Sequence, residues 1–112
     1  MSDHALGKVV TNAGVPVRLT LNRPDPSAVE PCHSYLVEVL STNSGKVYIG
    51  DDPGMDVATM VHVLVWLPPP TANTAPSYNV TISTSPNGLS VQDRYLDVEN
   101  DGEGVLVSIA VN

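Results

Sequence analysis

The run Val61-His-Val-Leu-Val-Trp-Leu-Pro-Pro-Pro-Thr-Ala-Asn73 decides how this chain is read. Side chains alternate across a strand, so Val61, Val63, Val65 and Leu67 share one face and His62, Leu64 and Trp66 the other. An antiparallel strand wetted on one side is polar there, and this one is apolar on both. It therefore reads as a strand buried twice, once by its own core and once by its own domain or another protein. Pro68, Pro69 and Pro70 carry no backbone N–H, so the ladder stops and a stiff extended segment is expected to follow. The candidate protein interface is accordingly His62, Leu64, Trp66, Pro68, Pro69 and Pro70. Trp in a desolvated patch often dominates association energy. The competing reading packs Trp66 beneath a loop of its own domain.

Strand signals continue on both sides of that run. Lys8-Val-Val-Thr11 is a short strand, and residues 15–21 alternate with Val15, Val17, Leu19 and Leu21 on one face. Pro16 marks that segment as an edge or a strand start. In residues 32–40, Tyr35, Val37 and Val39 oppose Leu36, Glu38 and Leu40. Ser41-Thr-Asn-Ser-Gly45 reads as a hairpin loop into Lys46-Val-Tyr-Ile-Gly50, and Asp51-Asp-Pro-Gly54 as a turn. Asp56 is placed to cap one helical turn over residues 56–60. Tyr78, Val80 and Ile82 alternate before the turn Ser85-Pro-Asn-Gly88. Residues 89–91 and 95–98 are short strands, and Val105, Val107, Ile109 and Val111 share a face of the last one. About eight short strands separated by turn chemistry predict an all-β fold: a single-domain β-sandwich or jelly roll, or a small barrel. The domain spans 1–112, with a loose N-terminal arm expected at 1–7.

Composition narrows the function. A chain of 112 residues forms one domain with a modest core. The net charge of −7 argues against nucleic acid, which needs a cationic surface, and against an anionic membrane. A single cysteine, Cys32, leaves no intrachain disulfide and no Cys-rich zinc motif. No apolar run reaches membrane-spanning length, and the N-terminus lacks a basic segment followed by an apolar one. The expectation is a chain made and used in a cytoplasm, or assembled there into something larger.

The candidate chemistry is thin. Cys32 and His33 are adjacent, so a strand sends them to opposite faces and they cannot form a nucleophile–base pair with each other. They read as a buried thiol beside a surface imidazole. His4, His33 and His62 show no metal-ligand spacing. Asp97-Val-Glu-Asn-Asp-Gly102 resembles the opening of a calcium loop, but Glu99 occupies the third position and Ser108 the twelfth, where a glutamate is needed. It reads as an acidic solvated hairpin turned by Asp101-Gly102. Asp51, Asp52 and Asp56 read the same way. The expectation is a chain that is not an enzyme and takes no cofactor and no metal.

Four segments carry a resemblance. They are Gly45-Lys-Val-Tyr-Ile-Gly50, Val63-Leu-Val-Trp-Leu-Pro-Pro-Pro-Thr-Ala-Asn73, Asp93-Arg-Tyr-Leu-Asp-Val98 and Gly102-Glu-Gly-Val-Leu-Val-Ser108. In order and spacing they resemble small structural proteins of tailed bacteriophages, above all the capsid decoration proteins, also called cement or staple proteins, of short-tailed phages. The resemblance implies a β-sandwich or jelly roll on the outer capsid surface that clamps neighbouring major capsid subunits, often as a homodimer, with no catalytic residues. The acidic charge agrees with a place away from the packed genome. The competing class is a carbohydrate-binding or adhesin-like module on a phage tail or cell surface. Such modules expose several aromatics, whereas this chain has one Trp, four Tyr and no Phe.

Overall fold

The structure is a computed structural model that describes residues 2–28, 31–32, 34–81 and 89–111. Among the described residues ten strands follow in order: β1 (Ser2–Thr11), β2 (Val17–Arg18), β3 (Pro31–Cys32), β4 (Ser34–Val39), β5 (Val47–Gly50), β6 (Val63–Leu67), β7 (Ser77–Thr81), β8 (Leu89–Ser90), β9 (Tyr95–Val98) and β10 (Glu103–Val111). A 3-10 turn at Val91–Asp93 separates β8 from β9.

The pairing is nested. β1 pairs with β10, β2 with β9, β3 with β8, β4 with β7 and β5 with β6, all antiparallel. This is one long hairpin rolled up so that successive pairs fall in different sheets. Two further contacts, β10 with β4 and β9 with β5, close sheet A (β1-β10-β4-β7) and sheet B (β2-β9-β5-β6). Two four-stranded antiparallel sheets wound this way make a jelly-roll sandwich. The all-β expectation holds.

Between the sheets lies one core. Sheet A contributes Val9, Tyr35, Val37, Val39, Val105, Val107 and Ile109; sheet B contributes Val47, Ile49, Leu67, Leu96 and Val98. The alternation read in residues 35–39 and 105–109 holds, with Leu36 half-buried and Leu106 exposed on the far side. Tyr35 meets the half-buried Tyr78 edge to face at a centroid distance of 6.3 Å. Burial pushes the Tyr35 phenol above its ordinary pKa.

Several expectations are corrected. The opening residues form no arm, because β1 runs from Ser2 and pairs with β10 along its length. Only Val17–Arg18 of the 15–21 segment is strand; Val15 and Leu21 are exposed, while Leu19 is fully buried. Successive turn bonds, from the Leu21 amide to the Arg18 carbonyl and from Arg23 to Thr20, curl the chain away from sheet B. Pro16 does precede an edge strand, β2. Residues 41–45 form no hairpin, since β4 lies in sheet A and β5 in sheet B. The loop arches between sheets, pinned by the buried Asn43, whose amide donates to the Gly104 carbonyl and whose oxygen accepts from the Gly104 amide. His33, Ile82 and the turn at 85–88 lie outside the described residues.

Candidate interaction surface

The opening stretch folds differently from its simple alternation. Along β5 and β6, Val47 faces Leu67, Tyr48 faces Trp66 and Ile49 faces Val65; the register then shifts and Gly50 faces Val63. Leu64 is the extra residue of a β-bulge. The bulge reverses the alternation behind it. Val65 and Leu67 pack on the core, but Val63 packs with Tyr48, Met55 and Tyr95 on the outer side of sheet B. Val61, expected beside them, lies outside β6 and is 53% exposed. The chain enters β6 through two left-handed residues, Met60 (φ 63°) and His62 (φ 62°). These conformations are uncommon without glycine. Here they are tied down: the Val63 amide donates to the Met60 carbonyl, and the Asp51 amide to the His62 carbonyl. Gly50 makes that turn possible, because a Cβ there would run into the His62 carbonyl.

Residues 51–62 form a roof over the outer face of sheet B. Met55 and Val57 pack on Tyr48, Tyr95 and Val63, a satellite cluster under a long loop. The expected helical turn at 56–60 is absent, yet Asp56 does cap locally, its carboxylate accepting from the Ala58 amide at 2.9 Å. Asp52 accepts from Gly54 at 2.7 Å, and Asp51 meets His62 Nδ1 at 3.2 Å. The three carboxylates are thus engaged in shaping the roof. Burial, with Glu99 and Asp97 nearby, raises the Tyr48 phenol above its ordinary pKa.

At the sheet edge the roof gives way to an apolar strip. Leu64 is 47% exposed and Trp66 45%, both on β6, the edge strand of sheet B. The Lys46 ammonium lies 4.9 Å from the Trp66 ring centroid, a cation–π contact that holds the indole in place. Pro68 is exposed, while Pro69 and Pro70 are half-buried. Rather than extending freely, the prolines begin the connection from β6 in sheet B to β7 in sheet A, which turns through paired bonds between Thr71 and Thr74. The structure thus sets Leu64, Trp66 and Pro68 along one edge and leaves His62 in the left-handed turn before it.

The remaining candidates are structural. Cys32 is buried at 3% exposure. His4 lies exposed on β1 in sheet A, and His62 beside sheet B. Among the described residues no three of His, Cys, Asp and Glu converge. The 97–102 segment is not wholly solvated, because Asp97 is 2% exposed on β9 and accepts from the Gly14 and Val98 amides. Asp101 accepts from Ala13, Glu99 from the Lys46 amide, and Glu103 from the Ser44 and Gly45 amides at 2.7 and 3.0 Å. These acids tie residues 97–103 to the loops at 13–14 and 44–46. Burial works against ionisation of Glu103, but the bonds from Ser44, Gly45 and Asn100 outweigh it and hold its pKa below the ordinary value.

Reading strand by strand missed a second surface. The outer side of sheet A holds a shallow depression of about 250 Å³ lined by Ala5, Gly7, Leu36, Glu38, Leu106 and Ser108. The alternation that placed Leu36 outside was visible, but its juxtaposition with Ala5 and Leu106 depends on pairing.

No protein-family model, curated protein or solved structure matches this chain.

Proposed function

We propose that this chain is a structural virion protein, not an enzyme, that binds the outer surface of a phage capsid and clamps neighbouring major capsid subunits. The observation that carries the reading is the exposed Leu64–Trp66 strip on the edge strand of a compact sandwich. An apolar edge strand is a template for another chain, which can add backbone hydrogen bonds and seat side chains beside Trp66. The engaged carboxylates and buried thiol agree with a binding role, as does the resemblance of four segments to phage cement proteins. The net charge of −7 suits a place outside the packed genome. Binding only to the assembled shell stabilises it by mass action, multiplied over many copies.

The glycan-binding alternative is less well supported by the aromatics. Tyr35, Tyr48 and Tyr95 are buried and Tyr78 half-buried, which leaves Trp66 as the exposed ring, with Lys46 over it. Sugar stacking wants an open aromatic platform.

Cosedimentation with empty phage heads tests the proposal. Wild-type protein should pellet with heads and remain bound in moderate salt, since apolar and backbone contacts dominate and exposed ion pairs contribute little. Trp66→Ala should weaken binding by about 2 kcal/mol or more while the fold persists. Failure to bind heads, with selective retention on a glycan array, would overturn the capsid reading in favour of the adhesin.

A further inference from the structure

We infer that the outer face of sheet A, where Val10 and Leu106 are exposed, is a self-association surface, on which a second copy of this chain packs face to face about a two-fold axis running along β10. The inference deepens the clamp reading and rests on it for its purpose, since a dimer presents two shell-binding edges. Its geometry rests on the strand register alone.

The register fixes which side chains stand abreast. One row across the sheet is Lys8, Leu106, Glu38 and Ser77, on β1, β10, β4 and the edge strand β7. The next is Ala5, Ser108, Leu36 and Asn79 on the same strands, and the facing patch is the three strands β1, β10 and β4, with β7 at its margin. Beyond Leu106 in the other direction, Val10 pairs with Gly104, whose carbonyl accepts from the Leu40 amide. Strands lie about 4.8 Å apart, so β1 and β4 are equally displaced on either side of β10.

A two-fold axis along β10, lying between two facing sheets, carries each position on β1 onto the corresponding position on β4. Lys8 then meets Glu38 of the second copy, and Glu38 meets its Lys8. Leu36, the large side chain of its row, meets Ala5, beside the depression that Ala5 and Gly7 leave open. Val10, 38% exposed, meets Leu40, and Leu106 meets Leu106. Charge opposes charge, large opposes small and apolar opposes apolar, all from one operation. Within a single chain Lys8 and Glu38 are separated by Leu106, and among the described residues neither makes an ion pair. Moving the axis to lie between β10 and β4 would set Leu106 over Glu38 and bury that carboxylate against an apolar side chain, which is costly. Face-to-face packing of aligned sheets is the ordinary way to cover such a surface, and an isologous contact is the commonest form of dimer.

Charge reversal read by sedimentation equilibrium, without any shell present, tests the inference. The wild-type chain should be a dimer. Lys8→Glu and Glu38→Lys, each setting like charges together twice, should each raise the dimer dissociation constant by about tenfold or more. The double variant K8E/E38K restores opposite charges and should restore the dimer. Leu106→Asp should be monomeric yet folded by circular dichroism, since Leu106 is exposed. Trp66→Ala should remain dimeric. A wild-type chain that stays monomeric through the micromolar range overturns the inference, as do single reversals that still dimerise or a double reversal that fails to. A normal dimer that ignores empty heads would sink the clamp reading and leave this one standing.

Discussion

The outer faces of the two sheets are built from the same alternating pattern and end up different. Sheet B is roofed by its own β5–β6 loop, whose Met55 and Val57 seal Tyr48 and Tyr95. Among the described residues sheet A has no such roof, and Leu36 and Leu106 lie on it beside a shallow depression. The difference comes from the length of connections. The loop between β5 and β6 is long enough to fold back over sheet B, whereas β4 meets β10 and β7 from distant parts of the chain. An outward apolar residue is therefore internal on one sheet and available on the other. On the described strands of sheet B the large exposed apolar side chains, Leu64 and Trp66, lie at the β6 edge.

Perturbing what the faces share gives the largest effect. Leu96 is fully buried between the sheets, and Leu96→Ala should destabilise the fold by about 2–5 kcal/mol in denaturant titration. An unchanged midpoint would mean the sheets do not share this core. On sheet A alone, a Cβ at Gly104 would collide with the Val9 carbonyl. Gly104→Ala should cost on the order of 3 kcal/mol and raise hydrogen exchange along β1 and β10 before sheet B responds. Uniform exchange across both sheets would erase the distinction.

The roof comes next. Met55→Ala should cost about 2 kcal/mol and expose Tyr48 and Tyr95 to quenchers, leaving the sheet A surface and its self-association intact. Trp66→Ala should change the isolated fold by less than about 1 kcal/mol, because the ring is half exposed; unfolding of this variant would show that the edge strip is core.

The smallest effect is that of acid. Glu103 titrates below its ordinary value when folded, so the unfolded chain takes up that proton more readily. Its contribution is present above the ordinary carboxylate range and is lost as pH falls through the lower folded value. Glu103→Gln should flatten that part of the stability–pH curve in acid titration, and an unaltered slope would show that the Ser44 and Gly45 bonds do not favour the charged form.

Much of this was legible in the residues themselves. Alternation around Tyr35–Val37–Val39 and Val105–Val107–Ile109 marked two inward faces correctly, because the period of a strand is a property of neighbouring residues. Cys32 was readable as buried, and Pro16 as marking an edge, since a missing N–H is local too. The fold class followed from strand number and turn chemistry.

What the tertiary structure alone decided is everything that depends on a partner distant in the chain. Nothing in residues 2–7 announces a strand, because their pairing is supplied by β10 at the other end. Asp97 looks like a surface acid until Gly14 donates to it across the fold. The Leu64 bulge leaves no mark in the apolar pattern, since every residue around it is hydrophobic and a slipped register costs nothing in composition. The roof on sheet B and the exposed Leu106 on sheet A belong to this second kind. Periodicity says that a side chain leaves the strand outward; only packing determines whether anything meets it there.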